Sequence, residues 1–318
     1  MATTVSITST YAGEFAGKYI SAALLSANTI ERGGIEVKPN VKYKEVIKKV
    51  ATDSNVIKDA TCDFTDTATV TLTERILQPE EFQVNLELCK KDFHSDWEAV
   101  QMGYSAFDNL PPAFSDFLIA HVAGLVAEKT EQNIWAGATG NAGEFDGLVT
   151  LATADSDVND VTGTTVTSAN VITEMGKIVD AIPSALYGKE DLHIYVSQNI
   201  FQAYVRALGG NLPLKNVAGT ENVAAFGNGI DNQGSLWYNN EALTFEGIKV
   251  FLANGLGDDN AMAAQKSNLY FGTGLLSDHQ EVKLLDMADL DGSQNVRVVM
   301  RFTAGVQYGI GGDIVLYS

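Results

Sequence analysis

The chain has 318 residues, of which 45% are hydrophobic and 19% charged, and its formal net charge is −19 at pH 7. This composition is typical of a folded protein with a sizeable core and excludes an intrinsically disordered chain. The acidic balance argues against direct nucleic-acid recognition and against binding to an anionic membrane, because both require clustered Lys and Arg. No secretory signal and no run of about 18 apolar residues is readable, so we expect a cytoplasmic origin and reduced Cys62 and Cys89.

The negative charge is unevenly distributed along the chain. Residues 1–91 hold 11 Lys and Arg against 12 Asp and Glu, whereas residues 92–318 hold 10 against 28. Between residues 32 and 58, seven Lys and Arg face only three Asp and Glu. Complementary fields on one polypeptide favour contact between identical copies, which predicts self-assembly. A solvated, lysine-rich surface hairpin is the alternative.

The first quarter of the chain predicts a helix followed by a β-type arm. Aromatic side chains at four-residue spacing indicate a short helix over residues 11–25. From residue 35 to 73 the pattern changes to short alternating runs, which predict two strands joined far from the body. Residues 41–50 favour a strand, although part of this segment would also suit a helical turn: Val46, Ile47 and Val50.

A buried strand and two helices are predicted next. Residues 82–89 alternate apolar and polar side chains, as expected of a strand buried on one face. Apolar spacings of three and four residues predict a helix over 93–107, and the two prolines at 111 and 112 break it and begin another. This helix, about 112–135, would span roughly 35 Å. Its predicted buried stripe is Phe114, Phe117, Leu118, His121, Val122, Leu125 and Trp135.

The glycine-rich stretch 137–147 suggests a domain boundary near residue 145. Beyond it we expect an α+β domain, with an amphipathic helix over 171–182, a strand at Leu192–Val196 and a helix capped by Ser197. Strands are predicted again at 243–252 and 269–271, and the glycine-rich run 209–234 is read as long loops.

The end of the chain predicts a long strand. Residues 296–308 alternate apolar and polar side chains over thirteen positions. A strand of this length needs an equally long partner, and the best candidate is the strand at 82–89. That pairing would return the chain to its first domain and make residues 145–280 an insertion.

The catalytic and metal-binding patterns that we tested are absent from the sequence. The Gly-Lys pairs are never followed by Ser or Thr, so no phosphate-binding loop is present, and neither a G-x-S-x-G elbow nor an H-E-x-x-H helix occurs. Asp155, Asp157 and Asp160 could collect a divalent ion between subunits, although a solvated loop is favoured. We therefore predict no catalytic, cofactor-binding or metal-binding residues, and no enzymatic activity.

The order of arm, long helix, inserted α+β domain and returning strand resembles the tailed-phage major capsid proteins with the Hong Kong 97 fold. The text that carries the resemblance is FQVNLELCKKDFHSDWEAVQMG, DNLPPAFSDFLIAHVAGLVAEKTEQNIWAG, QKSNLYFGTGLLSD and NVRVVMRFTAGVQYGIGGDIVLY. The resemblance covers most of the chain. It is a similarity of the overall amino-acid sequence and of the order of elements, and it does not depend on a short motif.

The resemblance implies a division into four parts. Residues 1–30 would be the N-terminal arm and 31–81 the extended loop that lies over an adjacent subunit. A peripheral domain with a long spine helix would comprise 82–145 and 281–308, and an inserted axial domain 146–280 and 309–318.

The resemblance also implies a function and partners. Copies of the chain would self-assemble as pentamers and hexamers into an icosahedral shell that encloses double-stranded DNA without sequence-specific binding, and separate scaffolding, portal and decoration proteins could join it. The shell would be assembled in the bacterial cytoplasm and become part of the virion, without a cofactor or a membrane. The basic loop would rest on a neighbour's acidic body, with interface residues Lys38, Lys42, Lys44, Lys48 and Lys49. An encapsulin-like compartment shell, another structural virion component and an acidic hydrolase are the alternatives.

Overall fold

The computed structural model describes most of the chain, in eight stretches. These are residues 28–52, 56–60, 62, 68–89, 112–208, 243–275, 281–288 and 292–318, with side chains of the helix that begins at Pro112 described from residue 118 onward. The helices predicted at 11–25 and 93–107 and the glycine-rich run 209–234 lie outside the described residues.

The described part of the chain contains α-helices and, more numerously, β-strands. The helices, numbered in chain order, are α1 (Asn28–Glu31), α2 (Pro112–Ala136), α3 (Leu148–Thr153), α4 (Val171–Asp180) and α5 (Gln198–Leu208). The strands are β1 (Glu36–Lys38), β2 (Glu45–Thr52), β3 (Val70–Leu77), β4 (Glu80–Cys89), β5 (Asn159–Val161), β6 (Leu192–Val196), β7 (Thr244–Phe245), β8 (Ile248–Leu252), β9 (Ala261–Gln265), β10 (Leu269–Gly272), β11 (Lys283–Asp286), β12 (Asn295–Tyr308) and β13 (Val315–Tyr317).

The fourteen-residue strand β12 organises a five-stranded sheet. Its first ten residues pair antiparallel with the whole of β4, from Asn295 opposite Cys89 to Ala304 opposite Glu80. This confirms the pairing predicted from the two alternating runs. The last four residues of β12 pair with β10, and β10 in turn pairs in parallel with β1. Residues of the predicted extended loop and of the predicted insertion therefore both contribute to this sheet.

A second sheet of six strands has the order β5-β13-β9-β6-β8-β7. The predicted strand at Leu192–Val196 is central and pairs with β8 and β9. The run 243–252 is a tight hairpin rather than one strand, because Glu246 and Gly247 have positive φ angles of 48° and 84° and reverse the chain between β7 and β8. Helices α4 and α5 cover this sheet and bury an aliphatic cluster that includes Met175, Ile178 and Ile200.

The long helix α2 touches the body at both of its ends. Near its start, Leu118 and Val122 pack against Val298 of the five-stranded sheet. At its far end, Ile134 and Trp135 are fully buried in the cluster that joins the two sheets. The helix has 25 residues, which corresponds to about 37 Å.

Three details of the predicted burial and capping are wrong. Leu125 is 43% exposed, because it lies between the two contacts of α2, and Leu86 is 40% exposed on β4. Ser197 precedes α5 as predicted, but its hydroxyl donates to Oδ1 of Asn199 at 2.5 Å instead of accepting from the helix. The Asn199 side-chain oxygen also accepts from the amide of Ile200, so Asn199 organises this turn.

A buried carboxylate ties the start of the described chain to α2. Glu131 is fully buried, and its oxygens accept from the amide of Thr29 at 3.1 Å and from the Thr29 hydroxyl. The same hydroxyl accepts from the indole N–H of Trp135 at 2.9 Å. Burial raises the pKa of Glu131, while the hydrogen bonds from Thr29, Trp135 and the Gly255 amide oppose the rise. This contact fixes the position at which the chain leaves α1 and runs toward β1.

Candidate assembly surface

The two-stranded hairpin formed by β2 and β3 is the candidate functional site. The strands have eight residues each and pair antiparallel from Glu45 opposite Leu77 to Thr52 opposite Val70. The strand predicted within residues 41–50 is confirmed, and the helical alternative is wrong. Alternating Val, Thr and Ile residues suit a pleated strand with two distinct faces.

One face of the hairpin, which we call the body face, is directed at the rest of the chain near its base. Leu77 is fully buried there and contacts the backbone of β10 so closely that a side chain at Gly272 would meet it at 3.0 Å. Ile47 lies close to the backbone at Gly309, where an added Cβ would be 3.5 Å from it. The body face consists of Glu45, Ile47, Lys49 and Ala51 with Thr71, Thr73, Arg75 and Leu77.

The opposite face, which we call the outward face, is solvent-exposed along its whole length. Its aliphatic residues have exposed fractions between 43% and 72%. The face consists of Val46, Lys48, Val50 and Thr52 with Val70, Leu72, Glu74 and Ile76. The aliphatic strip on this face is interrupted by the cross-strand pair of Lys48 and Glu74. Grouped exposed apolar residues of this kind are unusual on a soluble protein, whereas single ones are common.

A cluster that we call the base latch fixes the hairpin to the body. The Arg75 guanidinium pairs with Asp155 and lies over the ring of Tyr308, 4.5 Å from its centroid. The Tyr308 hydroxyl donates to the same carboxylate at 2.8 Å. A side chain at Gly311 would collide with Asp155 at 2.6 Å, so the close approach of this loop requires glycine.

The latch holds Asp155 in its charged form and burial holds Tyr308 neutral. Burial alone would raise the pKa of Asp155, but the hydrogen bonds from the Asp157 amide, Tyr308 and Arg75 lower it. Burial, followed by the hydrogen bond to Asp155, raises the pKa of Tyr308. Asp155 is thus occupied by protein groups. No group of three or more His, Cys, Asp or Glu side chains among the described residues is arranged to hold a metal ion.

The five predicted interface lysines occupy different environments. Lys38 is engaged within its own chain, since its Nζ lies 2.5 Å from Glu45 and 4.6 Å from the centroid of the Tyr270 ring. Lys42 and Lys44 are exposed in the segment before β2. Lys48 is exposed on the outward face.

Lys49 lies on the body face, opposite Thr73. It helps to line a cavity of about 250 Å³ between the hairpin and the body, which also contacts Tyr270 and Asp313. The lysines therefore do not form one surface, because the strand alternation directs Lys48 and Lys49 to opposite faces.

Sequence reasoning missed both the outward aliphatic strip and the latch. The strip was readable as period-2 alternation over residues 46–50 and 70–76, but the pattern does not tell which face is covered by the body. The ion pair between Arg75 and Asp155 joins residues 80 positions apart, and no local pattern predicts it. Within the residues that the structure covers, no helix is long and apolar enough to span a bilayer.

The fold has clear counterparts among solved structures, although no family model and no curated protein sequence matches the chain. The capsid of a native GTA particle matches with a TM-score of 0.60 at 13% identity, over 94% of this chain and 92% of that one. A chain of Gordonia phage Cozz matches with a TM-score of 0.60 at 10% identity, over 97% and 91%. The capsid of Myoviridae phage XM1 matches with a TM-score of 0.56 at 11% identity, over 94% of both chains.

These matches extend over nearly the full length of both partners, so they concern the whole architecture and not one shared domain. At 10–13% identity, they establish a common fold and leave the function to be argued separately. The chain has the Hong Kong 97-type fold of the tailed-phage major capsid proteins.

Proposed function

We propose that this chain is a major capsid protein that self-assembles as pentamers and hexamers into an icosahedral shell enclosing phage double-stranded DNA. The observation that carries the proposal is the end-to-end likeness to capsid subunits, over 94% of this chain and 92% of the GTA subunit. The role is structural rather than catalytic. The proposed location is the virion, after assembly in the bacterial cytoplasm, and the acidic composition is consistent with DNA that is enclosed without sequence-specific contacts.

The proposal assigns a structural role to each part of the chain. Residues 1–30 serve as the arm, 31–81 as the extended loop, 82–145 with 281–308 as the peripheral domain, and 146–280 with 309–318 as the axial domain. Separate scaffolding, portal and decoration proteins are proposed additional partners. The hairpin of β2 and β3 reaches a neighbouring copy, where Lys42, Lys44 and Lys48 meet an acidic body; residues 92–318 hold 28 Asp and Glu against 10 Lys and Arg.

Electron microscopy of the purified full-length chain, together with sedimentation velocity, tests the proposed function. We expect closed particles with five-fold and six-fold clusters of subunits. A chain that remains monomeric at all accessible concentrations and salt conditions, or that forms only open tubes, would refute it.

The contribution of the lysines is tested separately by changing the three that are proposed to meet a neighbour, Lys42, Lys44 and Lys48, together to Glu. Exposed ion pairs contribute only about 0.2–1 kcal/mol each, but a shell repeats the contact in every subunit. The yield of wild-type particles should fall as sodium chloride rises and the Debye length shortens to about 10 Å near 0.1 M. The variant should assemble poorly or show the opposite salt trend. Superimposable yield curves would mean that these lysines are only solvated.

A further inference from the structure

We infer that Asn254 is a spontaneous deamidation site, which the folded chain protects and whose conversion in an opened chain prevents refolding. The inference goes beyond the proposed function and requires only the folded subunit. It rests on the dipeptide Asn254–Gly255, which lies in the loop between β8 and β9, and on the packing of that loop against α2.

The dipeptide has the covalent chemistry that deamidation requires. The backbone nitrogen of Gly255, after it loses its proton to base in the solvent, attacks the side-chain carbonyl carbon of Asn254. A new C–N bond forms, the bond to the side-chain nitrogen breaks and ammonia leaves, so that a five-membered succinimide ring results. Water then opens the ring at either carbonyl, and the products are aspartate and isoaspartate. Glycine at the second position makes the attack fast, because no side chain hinders the approach of its nitrogen.

The packing of Gly255 against α2 holds the attacking nitrogen in place. The Gly255 amide donates to the buried carboxylate of Glu131. An added Cβ at Gly255 would lie 2.0 Å from the carbonyl oxygen of Glu131 and 3.0 Å from Cα of Gln132, so this residue lies directly on the backbone of α2. The amide therefore has to leave its position on α2 before its nitrogen can react with Asn254.

The backbone around the dipeptide is also fixed. Asn254 and Gly255 are the central residues of a turn in which the amide of Leu256 donates to the carbonyl of Ala253 at 3.2 Å. The amide of Ala253 donates to the carbonyl of Val196 in β6 at 3.0 Å. Ring closure requires rotation about the Cα–C bond of Asn254 away from this turn geometry, so the reaction depends on local opening of the loop.

Isoaspartate at position 254 would prevent the loop from returning to its place. The isoaspartyl bond routes the main chain through the former side chain and adds one carbon atom to the loop. Both ends of the loop are fixed, because Val196 of β6 pairs with Leu252 on one side and with Ala261 on the other. Either product also brings a second carboxylate to the loop that contacts Glu131, and like charges repel.

The first experiment measures the conversion directly. The full-length chain is incubated in mildly alkaline buffer, with and without denaturing guanidinium chloride, and its peptides are analysed by mass spectrometry. The second Asn–Gly pair of the chain, Asn228–Gly229, serves as an internal reference, and both pairs should convert at similar rates in denaturant. In buffer, Asn254 should convert at least about tenfold more slowly than in denaturant, because only the opened fraction reacts. Equal rates at Asn254 under the two conditions would overturn the inference.

The second experiment tests the consequence for refolding. The wild type and an Asn254→Ser variant, which retains Asn228–Gly229, are aged in denaturant and then diluted into buffer. The refolded fraction of the wild type, measured by circular dichroism, should fall in proportion to the isoaspartate at position 254, whereas the variant should keep the refolded fraction of a fresh sample. An Asn254→Gln variant, which would have to form a slower six-membered ring, should behave like the Ser variant. Equal losses in the wild type and both variants, or full refolding of the converted wild type, would contradict the inference.

Discussion

Replacing Arg75 by Met and Asp155 by Asn, singly and together, measures the contribution of the base latch to the stability of the unassembled subunit. Exposed ion pairs contribute about 0.2–1 kcal/mol, and breaking a fully buried pair costs about 3–5 kcal/mol. The side chains of Arg75 and Asp155 are 28% and 17% exposed. We therefore expect a coupling energy of about 1–2 kcal/mol at pH 7, between these limits.

The coupling should depend on pH in a defined direction. The pKa of Asp155 is lower in the folded chain, so its contribution is complete above the unfolded value of about 3.9 and is lost as the pH falls through the folded value. Urea unfolding of the wild type, the two single variants and the double variant at pH 7, 5 and 3 measures the coupling energy. We expect equal coupling energies at pH 7 and 5 and a smaller one at pH 3.

A control pair tests whether the effect belongs to the latch. Lys129 and Glu144 also pair at 2.5 Å, but the Lys129 side chain is 49% exposed, so the coupling energy of this pair should be smaller than that between Arg75 and Asp155. A coupling energy near zero between Arg75 and Asp155 at pH 7, or one that is unchanged at pH 3, would refute the electrostatic account of the latch.

Two further predictions concern buried and reactive side chains. Replacing Glu131 by Ala leaves the amide and hydroxyl of Thr29 without their acceptor and should lower the free energy of unfolding by about 3–5 kcal/mol. Because the pKa of Glu131 is raised, the wild type should lose stability relative to a Glu131→Gln variant as the pH rises above about 4.3; parallel pH profiles would contradict this. Cys62 and Cys89 are both free thiols, so replacing both by Ser should leave the particle bands identical in reducing and non-reducing gels, and dimer bands seen only without reductant in the wild type would be inconsistent with this expectation.

The sequence predicts the long-range framework of the fold well where a strand or helix has few alternatives. The alternation in β12 is long, and the alternating run of β4 was the best candidate for its partner and is the observed one; proline at position 112 marks the start of α2. Burial along these elements is less predictable. Leu86 and Leu125 each belong to an apolar stripe but lie outside the contacts between helix and sheet. The sequence of a stripe does not show how far along it the neighbouring element extends.

The sequence pointed to the segment that forms the candidate site, but it did not show which side chains of that segment are exposed together. The lysines drew attention to residues 32–58, whereas the exposed aliphatic side chains on the same hairpin became apparent only when its two faces were distinguished. That distinction depends on tertiary contacts: the burial of Leu77 and the ion pair of Arg75 decide which face is covered. A period-2 pattern by itself is compatible with either orientation.

The position of β12 and β13 in the chain has a consequence for synthesis on the ribosome. β12 is the central strand of one sheet and β13 pairs on both sides within the other, yet both come after all of their partner strands in the chain. A nascent chain cannot complete either sheet until these residues emerge, so the pairings of β4, β10 and β11 with β12 form late. A chain interrupted before residue 295 lacks the strand that unites β4, β10 and β11. A product that stops there would lack the central strand of this sheet and should not reach the fold that the proposed assembly requires.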